Sequence, residues 1–91
     1  MSTLNNHYVG GNNPILQNTT QFVSMVNATN YAINVLFGSV YKAVPLNATY
    51  QIVNGTIYNS RVAIEFRQGE FAKIIELKVL KNLNGSYKIL N

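Results

Sequence analysis

The chain has 91 residues, no cysteine and a formal net charge of +4, and only 11% of its residues are charged. One domain of this size can bury a core, since 47% of the residues are apolar, but it is marginal without disulfides, a metal or partners. Fourteen asparagines stand beside three glutamates, one histidine and no aspartate. This shortage of acid–base, nucleophilic and metal-binding side chains predicts that the protein is not an enzyme.

Residues 1–19 are predicted to form an extended N-terminal arm, because they are rich in Asn and Gly and have no hydrophobic period. Two small apolar clusters are the predicted anchors of this arm on a neighbouring subunit: Tyr8, Val9, Ile15 and Leu16. The segment has neither the basic nor the apolar region of a signal peptide, so we expect none. No run of the chain reaches the length of a membrane span.

Residues 20–91 are predicted to form the folded domain, and the first half of this domain is predicted to consist of strands. Residues 21–26 form the first of them. Apolar residues then alternate with the period of a strand at Tyr31, Ile33, Val35 and Phe37. A turn that begins at Gly38 is expected to return the chain, and Pro45 is expected to end the returning strand.

The same region also fits a helix, because many of its apolar residues fall on one helical stripe: Phe22, Met25, Val26, Ile33, Leu36, Phe37, Val40 and Tyr41. Its asparagines and Gly38 are poor residues for a helix interior, and β-branched and aromatic residues dominate the segment. Strands are therefore preferred for residues 20–44, and a helix remains the alternative.

Tight turns divide the second half of the chain into hairpins. Asn54-Gly55, between residues 50–53 and 56–59, is the strongest hairpin signal. A two-residue turn at Gln68-Gly69 sets the register of a second hairpin. That register pairs Arg67 with Glu70 and Arg61 with Glu76 outside, and Phe66 with Phe71, Val62 with Ile75 and Ile64 with Lys73 inside. A bulged turn within residues 82–86 then sets Val79 opposite Ile89.

Seven or eight short strands with regular turn signals predict an all-β fold, a small antiparallel β-sandwich that carries the N-terminal arm. The alternative is an α+β fold, in which residues 22–44 form one helix on a curved antiparallel sheet built from the hairpins after Tyr50. The two folds share those hairpins and differ in the first half of the domain.

No set of residues in the sequence fits a catalytic, cofactor or metal site. His7 is the only imidazole and lies in the predicted arm, and without Cys or Asp no catalytic triad can be assembled. The predicted register places Glu70 and Glu76 opposite arginines, which suits surface ion pairs better than a paired-carboxylate site. We therefore expect no catalytic residue, no cofactor and no bound metal.

Two further patterns indicate surface sites. Basic residues on adjacent predicted strands are candidate nucleic-acid contacts: Arg61, Arg67, Lys78 and Lys88. Tyr58 and Tyr87 are the candidate stacking faces beside them, although three glutamates dilute the positive charge. Candidate glycosylation sequons occur at Asn18, Asn27, Asn47, Asn54 and Asn84. A chain this rich in Asn and Thr also forms sequons by chance.

The chain resembles small structural proteins of virions, especially those of viruses that infect thermoacidophilic archaea. The resemblance lies in a short chain rich in Asn, Thr, Tyr and Ile, low in charge and free of Cys, with a polar N-terminal arm. It implies a capsid, turret or decoration subunit of the virion or of an extracellular surface. Such a subunit associates with itself, through its arm and sheet edges, and with other structural proteins of the same assembly. A surface of neutral side chains also predicts stability in acid.

Three other functions fit the sequence. A cell-surface or pilus-like β subunit would need export. A nucleic-acid-binding small β-barrel, located in the cytoplasm of the host, would bind with a steep dependence on salt. A cystatin-like α+β ligand-binding module would have the helix in the first half of the domain, and residues 85–89, Gly-Ser-Tyr-Lys-Ile, are similar to the closing strand of such folds.

Overall fold

The computed structural model describes residues 11–66 and 68–91, in which one helix packs against one face of a single antiparallel sheet. The elements follow in the chain order β1 (Asn13–Pro14), α1 (Thr20–Phe37), β2 (Tyr41–Val53), β3 (Gly55–Phe66), β4 (Phe71–Lys81) and β5 (Tyr87–Ile89). The strands lie in the sheet in this same order, from β1 at one edge to β5 at the other. The fold is therefore α+β, as the alternative interpretation of the sequence predicts.

α1 occupies the segment for which strands are preferred from the sequence, so the strand predictions for residues 21–26 and 31–37 are wrong. The helix begins after Thr19, whose Oγ1 accepts a hydrogen bond from the Phe22 N–H at 3.1 Å. It ends at Gly38, which has a φ of 111°, and the hairpin predicted there is wrong because the residues before Gly38 are helical. The buried residues of α1 recur at helical spacing: Met25, Ala28, Thr29, Ala32 and Ile33.

Asn30 shows why an asparagine is tolerated inside this helix. Its Nδ2 donates to the Val26 carbonyl at 3.0 Å, while its Oδ1 accepts from the backbone N–H of Ala43 in β2 at 3.1 Å. The side chain therefore ties α1 to the sheet. This tertiary hydrogen bond helps to offset the poor helix propensity of Asn, which a sequence-based estimate counts only as a cost.

β2 and β3 form one long hairpin that turns at Asn54, and the hairpin predicted there is confirmed. The register is shifted by one residue from that of a two-residue turn at Asn54-Gly55, because Val53 pairs with Gly55 and not with Thr56. Pro45 does not end a strand as predicted, since β2 continues beyond an irregularity between Pro45 and Asn47. The described residues form five strands in one open sheet, so a sandwich of seven or eight strands is not confirmed.

The hairpin of β3 and β4 confirms most of the predicted register. Arg61 pairs with Glu76, Val62 with Ile75 and Ile64 with Lys73. A bulge after Ile64 then sets Glu65 opposite Phe71, so the predicted pair of Phe66 with Phe71 is wrong. The predicted pair of Arg67 with Glu70 involves a residue outside the described part of the chain. Val79 pairs with Ile89, as the bulged turn requires.

The core lies between α1 and the face of the sheet that the helix covers. Tyr58 and Val62 of β3 and Val79 of β4 are almost completely buried in it, together with Met25 and Ile33 of α1. The opposite face of the sheet carries most of the charged residues, including the ion pair of Arg61 with Glu76 at 3.8 Å. Because α1 covers one face of the sheet and water contacts the other, inward and outward residues alternate along β3 and β4.

Candidate functional site

Three segments that are far apart in sequence lie in a row along one end of the sheet, and we call them the turn edge: residues 11–12, 53–55 and 82–86. Thr56 pairs with Lys81, which places the turn between β2 and β3 beside the turn between β4 and β5. β1 runs antiparallel to β2, with Asn13 opposite Tyr50, so residues 11–12 lie toward the same end. The turn edge is thus built from the approach to β1 and from two hairpin turns.

The turn between β4 and β5 is held rigid by its own hydrogen bonds. The Asn82 N–H donates to the Ser86 carbonyl at 2.8 Å, and the Gly85 N–H donates to the Asn82 carbonyl at 2.9 Å. The Ser86 Oγ also donates to the Asn84 Oδ1 at 2.7 Å. Leu83 projects from this frame with 82% of its surface exposed. Leu83 is the most exposed of the large apolar side chains in the described part of the chain.

The turn between β2 and β3 is locked against the end of β4. Gly55 has a φ of 117°, and a Cβ built on it would lie 2.6 Å from the Lys81 carbonyl oxygen. Only glycine fits this conformation and this close approach. Val53 and Asn54 are consequently presented at the tip of the hairpin, with 42% of Val53 exposed.

A cluster of polar side chains lies directly behind the turn edge. The Tyr58 hydroxyl donates to the Gln21 Oε1 at 2.9 Å, and the Lys81 Nζ lies 3.5 Å from the Ser24 Oγ. Burial raises the pKa of the Tyr58 phenol above its ordinary 10.0, although hydrogen bonding to Ser24 and Thr56 opposes the shift. The folded state therefore holds this proton more tightly than the unfolded chain does. That contribution to stability is present below pH 10.0 and is lost as the pH rises through the folded-state pKa.

The predicted arm anchors lie in different surroundings. Ile15 packs against the core of its own chain, while Leu16 is 69% exposed. β1, which also falls within the predicted arm, pairs with β2 of its own chain. Tyr8 and Val9 lie outside the described residues, as does His7.

Three of the predicted nucleic-acid contacts share one face of the sheet, but their proposed stacking partners do not. Arg61, Lys78 and Lys88 are exposed on the face opposite α1, and Arg67 lies outside the described residues. Tyr58 is buried in the core on the other face, and Tyr87 packs there on Tyr31 with ring centroids 5.1 Å apart. The prediction that these tyrosines form a stacking platform beside the basic residues is therefore wrong.

All five sequon asparagines are exposed in the structure: Asn18, Asn27, Asn47, Asn54 and Asn84. Asn27 lies on α1, whereas Asn54 and Asn84 lie on the turn edge. Exposure is compatible with a glycan at each position, and glycosylation stays a prediction.

In the part of the chain that the structure describes, no three His, Cys, Asp or Glu residues group into a metal site. Glu65 lies 4.0 Å from the Lys42 Nζ and Glu76 lies 3.8 Å from the Arg61 Nε, so both carboxylates lie beside cations. α1, the one helix within residues 11–66 and 68–91, is not apolar enough to cross a membrane.

The sequence interpretation does not single out Val53 or Leu83, and it does not place Lys81 beside α1. Leu83 carries the one signal that was available, an apolar side chain between the polar residues Asn82 and Asn84. The position of Lys81 beside Ser24 depends on how α1 crosses the sheet, and no local pattern reveals it. No protein-family model, no curated protein and no solved structure matches this chain.

Proposed function

We propose that the protein is a non-enzymatic, cystatin-like α+β binding module that inserts its turn edge into a cleft of a partner protein. The observation that carries the proposal is the alignment of residues 11–12, 53–55 and 82–86 along one end of the sheet. The arrangement of one helix on an antiparallel sheet supports the cystatin-like alternative over the other functions that fit the sequence.

The chemistry of the turn edge suits a cleft. Leu83 and Val53 offer apolar anchors, and the surrounding asparagines, serine and glycines offer neutral hydrogen-bonding groups. The turn between β4 and β5 is already rigid, so binding loses little conformational entropy there. Apolar anchors that become fully desolvated commonly dominate binding free energy.

The active-site cleft of a peptidase is the partner surface to test first, because it is shaped to accept extended main chain and protruding side chains. We expect the protein to inhibit at least one member of a panel of cysteine, serine and aspartic peptidases. The double variant Leu83→Ala, Val53→Ala should weaken this inhibition at least tenfold, since truncating a buried anchor costs about 1–2 kcal/mol or more. The measurement is the inhibition constant from steady-state rates.

The matched control is Val40→Ala, which truncates an exposed valine at the opposite end of the sheet. Inhibition by this variant should equal that of the natural chain. If Val40→Ala weakens inhibition as much as the double variant does, the turn edge is not the binding surface. Absence of inhibition across the panel would exclude a peptidase cleft as the partner.

A second candidate is the structural subunit of a virion, and the open edge of β4 favours it. β3 pairs with one side of β4, and on the other side β5 pairs only with residues 79–81, so no described strand pairs with residues 71–75 on that side. Phe71 and Ile74 are exposed along this edge. Exposed strand edges with apolar side chains pair readily with another chain. The subunit would then act in the virion or at an extracellular surface.

The native mass of the protein near pH 4 and near pH 7 tests this second candidate. We expect a defined oligomer at both values, because a neutral surface changes little with pH. Ile74→Lys should dissociate it, since a charge on an edge strand opposes pairing, while Val35→Lys, at an exposed position of α1, should leave it intact. A monomer at both pH values would argue against self-assembly.

A further inference from the structure

A polar cavity of about 250 Å³ lies behind the turn edge, between the first turns of α1 and the adjoining ends of β3 and β4. Its lining includes Thr20, Gln21, Ser24, Thr56, Tyr58 and Lys81. Thr56 and Lys81 are direct neighbours on adjacent strands, and the Lys81 Nζ reaches across to the Ser24 Oγ at 3.5 Å. One ammonium group and several hydroxyl groups from three elements therefore converge on one space.

The positive charge of Lys81 has no carboxylate beside it in the described part of the chain. Glu65 and Glu76 lie next to Lys42 and Arg61, and Glu70 lies at the turn between β3 and β4, at the other end of the sheet. The first turn of α1 contains no acidic residue. A partly buried cation whose polar neighbours are all neutral attracts an anion.

The hydrogen-bonding groups of the cavity also suit an anion. The Tyr58 hydroxyl donates to the Gln21 Oε1, which fixes the Gln21 amide and leaves its Nε2 as a donor. The hydroxyl groups of Ser24 and Thr56 rotate freely enough to donate as well. An ammonium group with several neutral donors is the set that recognises a carboxylate or a phosphate.

We infer that this cavity is an oxyanion site, in which Lys81 supplies the charge and Ser24, Thr56 and Gln21 supply hydrogen bonds. The ligand is a carboxylate. Its source, if the proposed function holds, is an acidic side chain or a C-terminus of the partner that reaches past Gly55 and Leu83 when the turn edge is bound. A free small carboxylate or phosphate offers the same chemistry, and the site itself does not depend on the proposed function.

Titration of the natural chain with sodium acetate, and separately with sodium phosphate, tests the site at constant ionic strength. The readout is the amide shifts in ¹H–¹⁵N NMR spectra, and we expect saturable shifts centred on Ser24, Thr56 and Lys81. Lys81→Met should weaken binding at least tenfold. Lys88→Met, which removes an exposed lysine from the opposite face of the sheet, should leave binding unchanged. Linear shifts without saturation, or an unchanged titration in Lys81→Met, would overturn the site.

Ser24→Ala provides a second variant that keeps the charge, and it should weaken acetate binding several-fold. Its thermal unfolding and that of Lys81→Met show whether each variant is folded, so a loss of binding is not confused with a loss of structure. If Lys81→Met does not fold, Ser24→Ala decides: an unchanged acetate affinity in that variant overturns the site.

Competition distinguishes the two sources of the anion. If acetate weakens inhibition of a peptidase by the natural chain but not by Lys81→Met, the partner supplies the carboxylate. If acetate binds without affecting inhibition, the ligand is a free anion, and the assignment to the partner is wrong. Acetate binding without inhibition of any peptidase would contradict the proposed peptidase partner and leave the oxyanion site standing. Inhibition of a peptidase without binding of acetate or phosphate would contradict the oxyanion site and leave the proposed peptidase partner standing.

Discussion

Replacing Gly55 by alanine is expected to lower the free energy of unfolding by about 2–4 kcal/mol. The residue has a φ of 117°, a conformation that strains any side-chain-bearing residue. The new Cβ would also lie 2.6 Å from the Lys81 carbonyl oxygen, so the hairpin must move away from β4. Urea unfolding, followed by circular dichroism, measures the loss.

Gly69→Ala is the matched control for this prediction. Gly69 has a similar φ of 99°, but a Cβ there meets no atom within 4 Å. Gly69→Ala should therefore lower the free energy of unfolding through backbone strain alone, by about 1–2 kcal/mol. The excess loss in Gly55→Ala reports the close approach to β4. Equal losses in the two variants would mean that the turn between β2 and β3 is not clamped against Lys81.

Replacing Ile33 by alanine is expected to lower the free energy of unfolding by about 2–4 kcal/mol, because the side chain is completely buried between α1 and the sheet. Val35→Ala, two residues later, should change it by less than about 0.5 kcal/mol, because Val35 is 58% exposed. The difference follows from the helical period, because residues two positions apart in a helix point to different sides. Chemical unfolding of both variants is the measurement.

This pair of variants separates the two interpretations of the first half of the domain. In a strand, Ile33 and Val35 would lie on the same face, and their replacement would have similar effects. In α1, only Ile33 reaches the core. Comparable losses from the two variants would contradict the helix. A far-ultraviolet spectrum with the helical content of α1, 18 residues of 91, provides an independent check.

Gly55 links the stability of the fold to both proposed binding surfaces. It belongs to the turn edge, and it lies against the strand end that carries Lys81. A side chain at this position is therefore expected to disturb the presentation of Val53 and the lining of the cavity together. Variants at Leu83 and Lys81 remain the cleaner tests of the two surfaces, because neither side chain is part of the core.

The hairpins after Tyr50 could be predicted from local patterns. Opposite charges at Arg61 and Glu76 and apolar residues at Val62 and Ile75 agree on a single register, and a slip of one residue would expose the apolar set. Turn residues such as Asn54-Gly55 add a second local constraint. Information of this kind lies within about 15 residues along the chain, so it can be read without the tertiary structure.

Contacts between residues that are far apart in sequence determine the helix and the candidate sites. The apolar pattern of residues 20–37 fits both a strand, which the residue types favour, and a helix. Burial of Met25 and Ile33 and the Asn30 hydrogen bond with β2 stabilise the helix. Lys81 meets Ser24 across 57 residues of sequence. The sequence by itself determined where the hairpins lie, most of the register between β3 and β4, and the scarcity of catalytic groups. The tertiary structure decided the single helix, the turn edge and the cavity, because packing outweighs local propensity when that propensity is nearly balanced.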